Sequence, residues 1–526
     1  MGGREKQPIK IGAWLLARNT VLNFIGQAIP LLVGVITIPC VVRGIGTERF
    51  GLLSLAWAIL GYFSIFDLGL GRATTKFVAE ALGKGEEDQI PRIIWTAVTV
   101  QTILGIVGAL VLVGISPLLI DHFLKIPSKL VGEAKAICYL LALAIPVVLI
   151  SGSFRGVLEA SQRFELVNAV SIPVGILTYI CPLLGLVLGM NLPGMVGLIL
   201  LSRAGALAAF VALNLFILPG LRKYSGSLSF FPRLFSFGGW VTISSVLGPI
   251  LVYLDRFLIG SLLSMSAVAY YSAPYEVVTR LWIIPASFTA TLFPAFSALK
   301  GDITINRHAL EMLFSRAIKY ILLIMGPIVL AAALFSKDIL QFWLGEDFAI
   351  QSSLAFSILA IGILVNSLGW VAYSLIQGMG RPDITAKIHL AELPVYIGIA
   401  WFFIKQAGIV GAAVACTTRL TLDAVLMFIA AFKISRFSPC ALKSHGLISA
   451  GVTLALLAII THVIKKFMYI FPWFLELLLF GGLLGLFLIT VWKKVLDSFD
   501  REFFLRISKL RSGWESICIR KRRGKL

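Results

Sequence analysis

Long apolar stretches separated by short polar ones run through the chain. Val98–Ile115 and Leu166–Met190 contain no charged residue, and about 20 helical residues cross a hydrocarbon core of roughly 30 Å. These runs do not alternate apolar and polar positions, so they read as membrane helices and not as barrel strands. Glycine and proline recur inside them, as membrane helices tolerate where neighbours re-satisfy the freed backbone groups.

The pattern predicts fourteen spans. The first six are Asn19–Val42, Phe50–Leu70, Ile93–Ile115, Ala136–Phe154, Leu166–Met190 and Gly194–Leu218. A polar linker, Pro219–Arg233, precedes six more: Leu234–Gly260, Ala267–Phe296, Ala317–Phe335, Leu354–Gln377, Ile384–Ile404 and Gly408–Phe432. Gly446–Ile464 and Phe474–Trp492 complete the set. With the N-terminus inside, cytoplasmic segments hold about 33 Lys and Arg and the opposite loops about 9, so both termini are expected in the cytoplasm.

The two six-span blocks repeat. Gly194-Met195-Val196-Gly197 opens the sixth span and Gly408-Ile409-Val410-Gly411 the twelfth, 214 residues later. The stretch from Arg155-Gly156 to Pro173 resembles that from Gln377-Gly378 to Pro394. An even number of spans separates the blocks, so they repeat in parallel about an axis along the membrane normal. Transporters built this way hold substrate between their halves and rock them to alternate access. The expected fold is therefore all-α and integral to the membrane, with two pseudo-symmetric six-helix lobes around a central cavity plus two C-terminal helices. The boundaries are 1–218 for the first lobe, 219–233 for a cytoplasmic linker and 234–432 for the second lobe. Residues 433–492 carry the last two spans, and 493–526 form a basic cytoplasmic tail.

Composition agrees. Apolar residues make up 58% of the chain and charged ones 14%, against roughly 45–50% and about 25% in soluble domains. The net charge of +20 sits between spans and in the tail Arg501–Lys525, where anionic lipid headgroups and not nucleic acid are the expected partner. The cysteines Cys40, Cys138, Cys181, Cys416, Cys440 and Cys518 show neither a CxxC pair nor metal spacing. The first span is too long for a cleavable signal peptide and many more follow it. The histidines lack ligand spacing, and there is no Walker A motif, GxSxG elbow or zinc motif. No covalent reaction, ATP hydrolysis, bound metal or cofactor is expected; a proton or sodium gradient is the remaining energy source.

Several segments carry a family likeness. Gly44-Ile45-Gly46-Thr47-Glu48-Arg49-Phe50-Gly51-Leu52 leads into Phe66-Asp67-Leu68-Gly69-Leu70-Gly71-Arg72-Ala73. Asp255-Arg256-Phe257-Leu258-Ile259-Gly260 closes the seventh span, and Gln377-Gly378-Met379-Gly380-Arg381-Pro382 follows the tenth. Over most of the first twelve spans the chain resembles the polysaccharide-transporter branch of the multidrug/oligosaccharidyl-lipid/polysaccharide exporter superfamily, typified by O-antigen flippases. The resemblance implies a V-shaped cavity between two lobes in the cytoplasmic membrane. It also implies a polyprenyl-pyrophosphate-linked oligosaccharide as substrate, flipped to the outer leaflet, with membrane lipids and polysaccharide polymerase machinery as partners. In related lipid II flippases the pair equivalent to the last two spans forms a groove for the lipid tail.

A charge at mid-membrane costs about 2.5–3.5 kcal/mol on insertion scales, so each needs a partner, a wet cavity or a function. Arginine supplies a fork suited to the oxygens of an implied pyrophosphate. Arg203 lies nine residues into the sixth span with no acidic residue between Gly194 and Leu218; it faces either a cavity or a neighbouring helix's acceptors. Glu276 and Arg280 share one helical face, as do Arg419 and Asp423. Each is either a self-neutralised pair or a pair whose arginine leaves to meet phosphate. Asp255 with Arg256, and Asp67 with Arg72, stand near span ends as locks between lobes or as interfacial anchors. Arg155 with Glu159 reads as cavity mouth or headgroup contact. Glu392, Asp255 and Glu276 are the acidic candidates for cation or proton coupling. Asn23 and Gln27 share a face of the first span and suit either sugar hydroxyls or helix packing.

The leading expectation is a lipid-linked oligosaccharide flippase. A multidrug cation antiporter of the same superfamily is the alternative, kept open by Glu276 and Glu392. A membrane glycosyltransferase or O-antigen ligase would need a longer outer loop than any here.

Overall fold

Neighbouring spans pack as helices, most of them against partners from their own half of the sequence. The computed structural model describes residues 13–66, 70–84, 86–161, 163–226, 231–298, 303–437, 446–467 and 473–502, and among these there is no β-strand. The first half holds α1 (Ala13–Ile45), α2 (Thr47–Phe66), α3 (Leu70–Lys84), α4 (Ile90–Pro117), α5 (Val131–Ala160), α6 (Phe164–Val187) and α7 (Leu192–Ile217). The second holds α8 (Phe231–Leu262), α9 (Met265–Thr279), α10 (Ile283–Ala298), α11 (Ile303–Leu334), α12 (Ser336–Leu344), α13 (Glu346–Gly378) and α14 (Pro382–Ser435). The C-terminal helices α15 (Leu447–Phe467) and α16 (Trp473–Thr490) follow.

Among the described residues, 10 helices are long and apolar enough to cross a membrane. The other expected spans fall on α2, α8 and the α9–α10 pair, while the eleventh and twelfth both lie in α14. The turn between those two is a break at Ala407 and Gly408, where Gly408 takes φ of 59°, in the left-handed region that favours glycine. Large apolar side chains such as Leu32, Ile36, Leu110, Phe216 and Leu390 stay exposed, as they must where the surrounding solvent is hydrocarbon.

Three features depart from the simple span pattern. The expected single span Ala267–Phe296 is interrupted by a 3-10 turn, Arg280–Trp282. Pro285 lies just beyond, and its ring nitrogen has no proton to donate to the carbonyl four residues back. The polar segment after the second span forms α3, which buries Leu70, Thr74, Phe77, Val78 and Ala81 at helical spacing. A short helix, α12, fills the connection between the ninth and tenth spans. The linker packs on the bundle at Leu221, which is buried and whose carbonyl accepts a 3.1 Å hydrogen bond from the Trp95 indole of α4.

In the first half α6 packs on α1 and α7, while α5 packs on α3, α4 and α7. In the second half α14 packs on α8 and α13, and α13 meets α9, α10, α11 and α12. The halves meet chiefly where α2 lies against α8 and α9. Further contacts gather at the end of the bundle holding the α1–α2 turn. There Thr47 Oγ1 lies 3.4 Å from Ser266 Oγ, Lys125 Nζ donates to the Leu262 carbonyl at 2.6 Å, and the Trp343 indole donates to the Val35 carbonyl at 2.6 Å. Outside this arrangement α15 packs on α11, and α16 packs on α15.

Candidate functional site

A cavity of about 290 Å³ lies between the halves. From the first half α1 contributes Pro30, α2 contributes Trp57, Leu60 and Gly61, α6 contributes Gly175, Thr178 and Tyr179, and α7 contributes Arg203. The facing wall is Tyr253 and Arg256 of α8, Glu276 of α9 and Arg280 in the 3-10 turn. The break in the eighth span thus falls beside the cavity, where irregular backbone is tolerated in a membrane protein.

Two guanidinium groups meet one carboxylate here, and a third lines the same cavity. Glu276 Oε1 accepts from Arg256 Nη2 at 2.8 Å, and its Oε2 accepts from Arg280 Nη2 at 3.0 Å. Arg280 Nη2 also donates to the Tyr179 hydroxyl at 2.5 Å, so this side chain ties one half to the other. Arg256 is 1% exposed, and its guanidinium sits 5.0 Å from the centres of both the Tyr253 and Tyr275 rings. Arg280 is 42% exposed, so its guanidinium is open to the cavity while it holds these two partners. Arg203 has no carboxylate partner among the described residues; Nη2 reaches the Thr178 hydroxyl at 3.4 Å, and its buried Nε has no hydrogen bond. The site is therefore net cationic, with hydroxyls and aromatic faces around it.

Asp255, buried next to Arg256, is satisfied elsewhere: it accepts from the Tyr271 hydroxyl at 2.5 Å and from the Arg256 amide at 2.8 Å. Asp255 and Arg256 thus engage partners on α8 and α9, within the second half; both are buried, and Arg256 lines the cavity. Arg155 and Glu159 pair at 2.7 Å and line a neighbouring pocket of about 330 Å³, which shares Leu60 and Gly61 with the cavity.

Glu392 and Arg419 lie in a different cluster, in α14. Glu392 is 1% exposed with neither carboxylate oxygen hydrogen-bonded, and Arg419 covers the Tyr396 ring at 5.1 Å. Asp423 Oδ2 accepts from Asn366 Nδ2 at 3.1 Å, while its Oδ1 lies 3.4 Å from His389 Nε2 without a hydrogen bond. The helical spacing of Arg419 and Asp423 left their other neighbours unspecified, and α13 supplies the Asn366 partner. Asn23 and Gln27 stand on α1 and Arg72 on α3, but their side chains lie outside the described residues, as does Asp67 altogether. Sequence reasoning passed over Trp57, Thr178, Tyr179 and Tyr253. Aromatic rings with a polar edge inside otherwise apolar spans were the available signal.

An all-helical bundle with a charged cavity between two repeated halves is the build of a membrane transporter. The chain matches the family model described as "Polysaccharide biosynthesis protein" over residues 16–300. It is 30% identical over 421 residues to a Shigella flexneri protein named for O-antigen transport, a match covering 78% of this chain and 96% of that one. The chain belongs to this polysaccharide biosynthesis protein family. Its fold is similar to that of an inward-facing multidrug resistance MATE family transporter of the MOP superfamily, with a TM-score of 0.70 at 18% identity over 80% of this chain and 98% of the other. It is also similar to the lipid II flippase MurJ in an inward closed conformation, with a TM-score of 0.67 at 14% identity over 90% and 98% of the two chains. The protein is a multi-pass membrane transporter of polysaccharide biosynthesis.

Proposed function

We propose that the protein is a flippase that moves a polyprenyl-pyrophosphate-linked oligosaccharide across the cytoplasmic membrane by alternating access. The observation that carries this reading is the cavity holding Arg203, Arg256 and Arg280 against the single carboxylate Glu276. Such a site favours a dianionic pyrophosphate and disfavours a cationic drug. The Shigella relative named for O-antigen transport supports the same substrate class. In this reading residues 1–218 and 234–432 rock as two lobes, both termini are cytoplasmic, and the contacts around Thr47, Lys125 and Trp343 close the outer side. Trp57, Tyr179 and Tyr253 offer ring faces to sugars. Membrane lipids surround the protein, and a polysaccharide polymerase uses its product. A proton or sodium gradient coupled through Glu392 and Asp423 supplies energy.

Arg203→Ala and Arg280→Ala, each expressed in a host lacking its own flippase, are expected to lose surface polysaccharide while membrane levels of the protein stay normal. Undiminished surface glycan in both variants would sink the pyrophosphate reading. A multidrug antiporter is the second reading, favoured by the buried Glu392, which stands beside Asp423 and Arg419, and by the fold shared with a multidrug transporter. It requires drug efflux from a sensitive host, and no increase in drug tolerance is expected.

A further inference from the structure

The two oxygens of Glu276 occupy the positions an incoming phosphate needs. One is held by Arg256 Nη2 at 2.8 Å and the other by Arg280 Nη2 at 3.0 Å. This is how a carboxylate bridges two guanidinium forks, and a phosphate oxygen bridges them in the same way. We infer that Glu276 is a built-in competitor for the anion site, so that substrate binds by exchange with it and is held weakly enough to be released. The inference rests on the flippase reading and adds what that reading lacks, a reason for an acid in an anion site.

The surroundings of Glu276 support exchange. Besides the two arginines, the titratable groups facing it are the hydroxyls of Tyr253 from α8 and Tyr179 from α6. From α2 the cavity receives Trp57, Leu60 and Gly61, none charged. From α14, Arg419 and Cys416 approach Tyr275, and from α13 the contact is Ser352 to the Tyr270 carbonyl. Arg256 is fixed between two rings, whereas Arg280 is 42% exposed and open to a ligand in the cavity. Arg203, without a carboxylate, supplies the third cation. A pyrophosphate diester carries two negative charges. With Glu276 it balances the three guanidiniums, so the carboxylate gives up a fork without leaving the cavity. Without Glu276 the loaded site keeps an excess positive charge, which favours holding the anion over letting it go.

The competing possibility is that Glu276 merely holds Arg256 and Arg280 in place for substrate, and the two predict opposite signs. The test measures binding of synthetic farnesyl-pyrophosphoryl-N-acetylglucosamine, a pyrophosphate diester, to purified wild-type protein, Glu276→Gln and Glu276→Asp, alongside surface polysaccharide in cells carrying each. The expected result is a tenfold or greater gain in affinity for Glu276→Gln together with loss of surface glycan, and partial rescue of export by Glu276→Asp. Equal or weaker binding by Glu276→Gln, with both acidic forms binding normally, overturns the inference and leaves the flippase reading standing. Should the glutamine variant fail to fold, raising ionic strength on Glu276→Asp reads the same exchange: its shorter carboxylate reaches the forks less well, so its affinity should exceed wild type at every salt concentration, and affinity at or below wild type overturns the inference. Absence of binding by wild-type protein overturns the flippase reading and the inference with it.

Discussion

At Gly51 the two halves come so close that a Cβ there would sit 1.9 Å from the Met265 carbonyl oxygen. No rotamer change relieves a clash with backbone, so α2 and α9 would have to separate. Gly51→Ala is expected to destabilise the protein by about 1–3 kcal/mol, the usual cost of overpacking, read as a lower melting temperature in detergent. An unchanged melting temperature would mean that the contact is looser than this geometry. The sequence presented Gly51 only as part of a family-like segment, because a glycine's reason lies in whatever packs against it. The arginines differ in this respect. Arg203 and Arg280 were legible from sequence because a charge inside an apolar span demands an explanation. What stayed hidden was the bridge from Glu276 to Arg256, which joins residues on two helices and has no spacing to betray it.

Among elements, α15 and α16 are fastened by charge as well as by apolar contact. Asp500 and Lys319 pair with both side chains 0% exposed, and Asp500 also accepts from the Tyr320 hydroxyl at 2.5 Å. Arg316 reaches Asp497 at 2.9 Å and stacks over Phe499 at 4.1 Å. At the other end Lys465 pairs with Asp338 at 3.0 Å. Asp500→Leu would strand Lys319 without its carboxylate and is expected to cost about 3–5 kcal/mol, most of it recovered by adding Lys319→Met. Thermal unfolding of the two variants checks this, and equal destabilisation in both would show that the pair contributes nothing beyond its separate side chains. The sequence marked the last two spans clearly by their apolar runs. It could not tell that α15 packs on α11 or that the segment after α16 pairs with it, because Lys319 and Asp500 are 181 residues apart.

For the whole molecule, the proposed alternating access requires the contacts between halves at the α1–α2 end to open and close. Thr47 and Ser266 bring their hydroxyl oxygens, which stand where cysteine sulfurs would, to 3.4 Å across that contact, so a side-chain rotation brings two sulfurs toward the S–S bond length of about 2.05 Å. Thr47→Cys with Ser266→Cys, in a background without the native cysteines, is expected to stop polysaccharide export when oxidised and to recover with reductant. Export that persists through complete cross-linking would exclude alternating access by opening at this end.

Apolar runs, in-span charges and the repeated glycine motifs sufficed to determine an all-helical membrane protein with two related halves. These properties follow from transfer energies and helical spacing, which act along the chain. The break in α14 was visible through Gly408, whose backbone freedom is local, whereas the turn at Arg280–Trp282 interrupted a span the sequence presented as continuous. Tertiary structure alone decided which charges meet: Arg203, Arg256, Arg280 and Glu276 around one cavity, Glu392 and Arg419 in another place. Electrostatic partners are chosen by distance in space, and a sequence of helices specifies that distance only once they have packed.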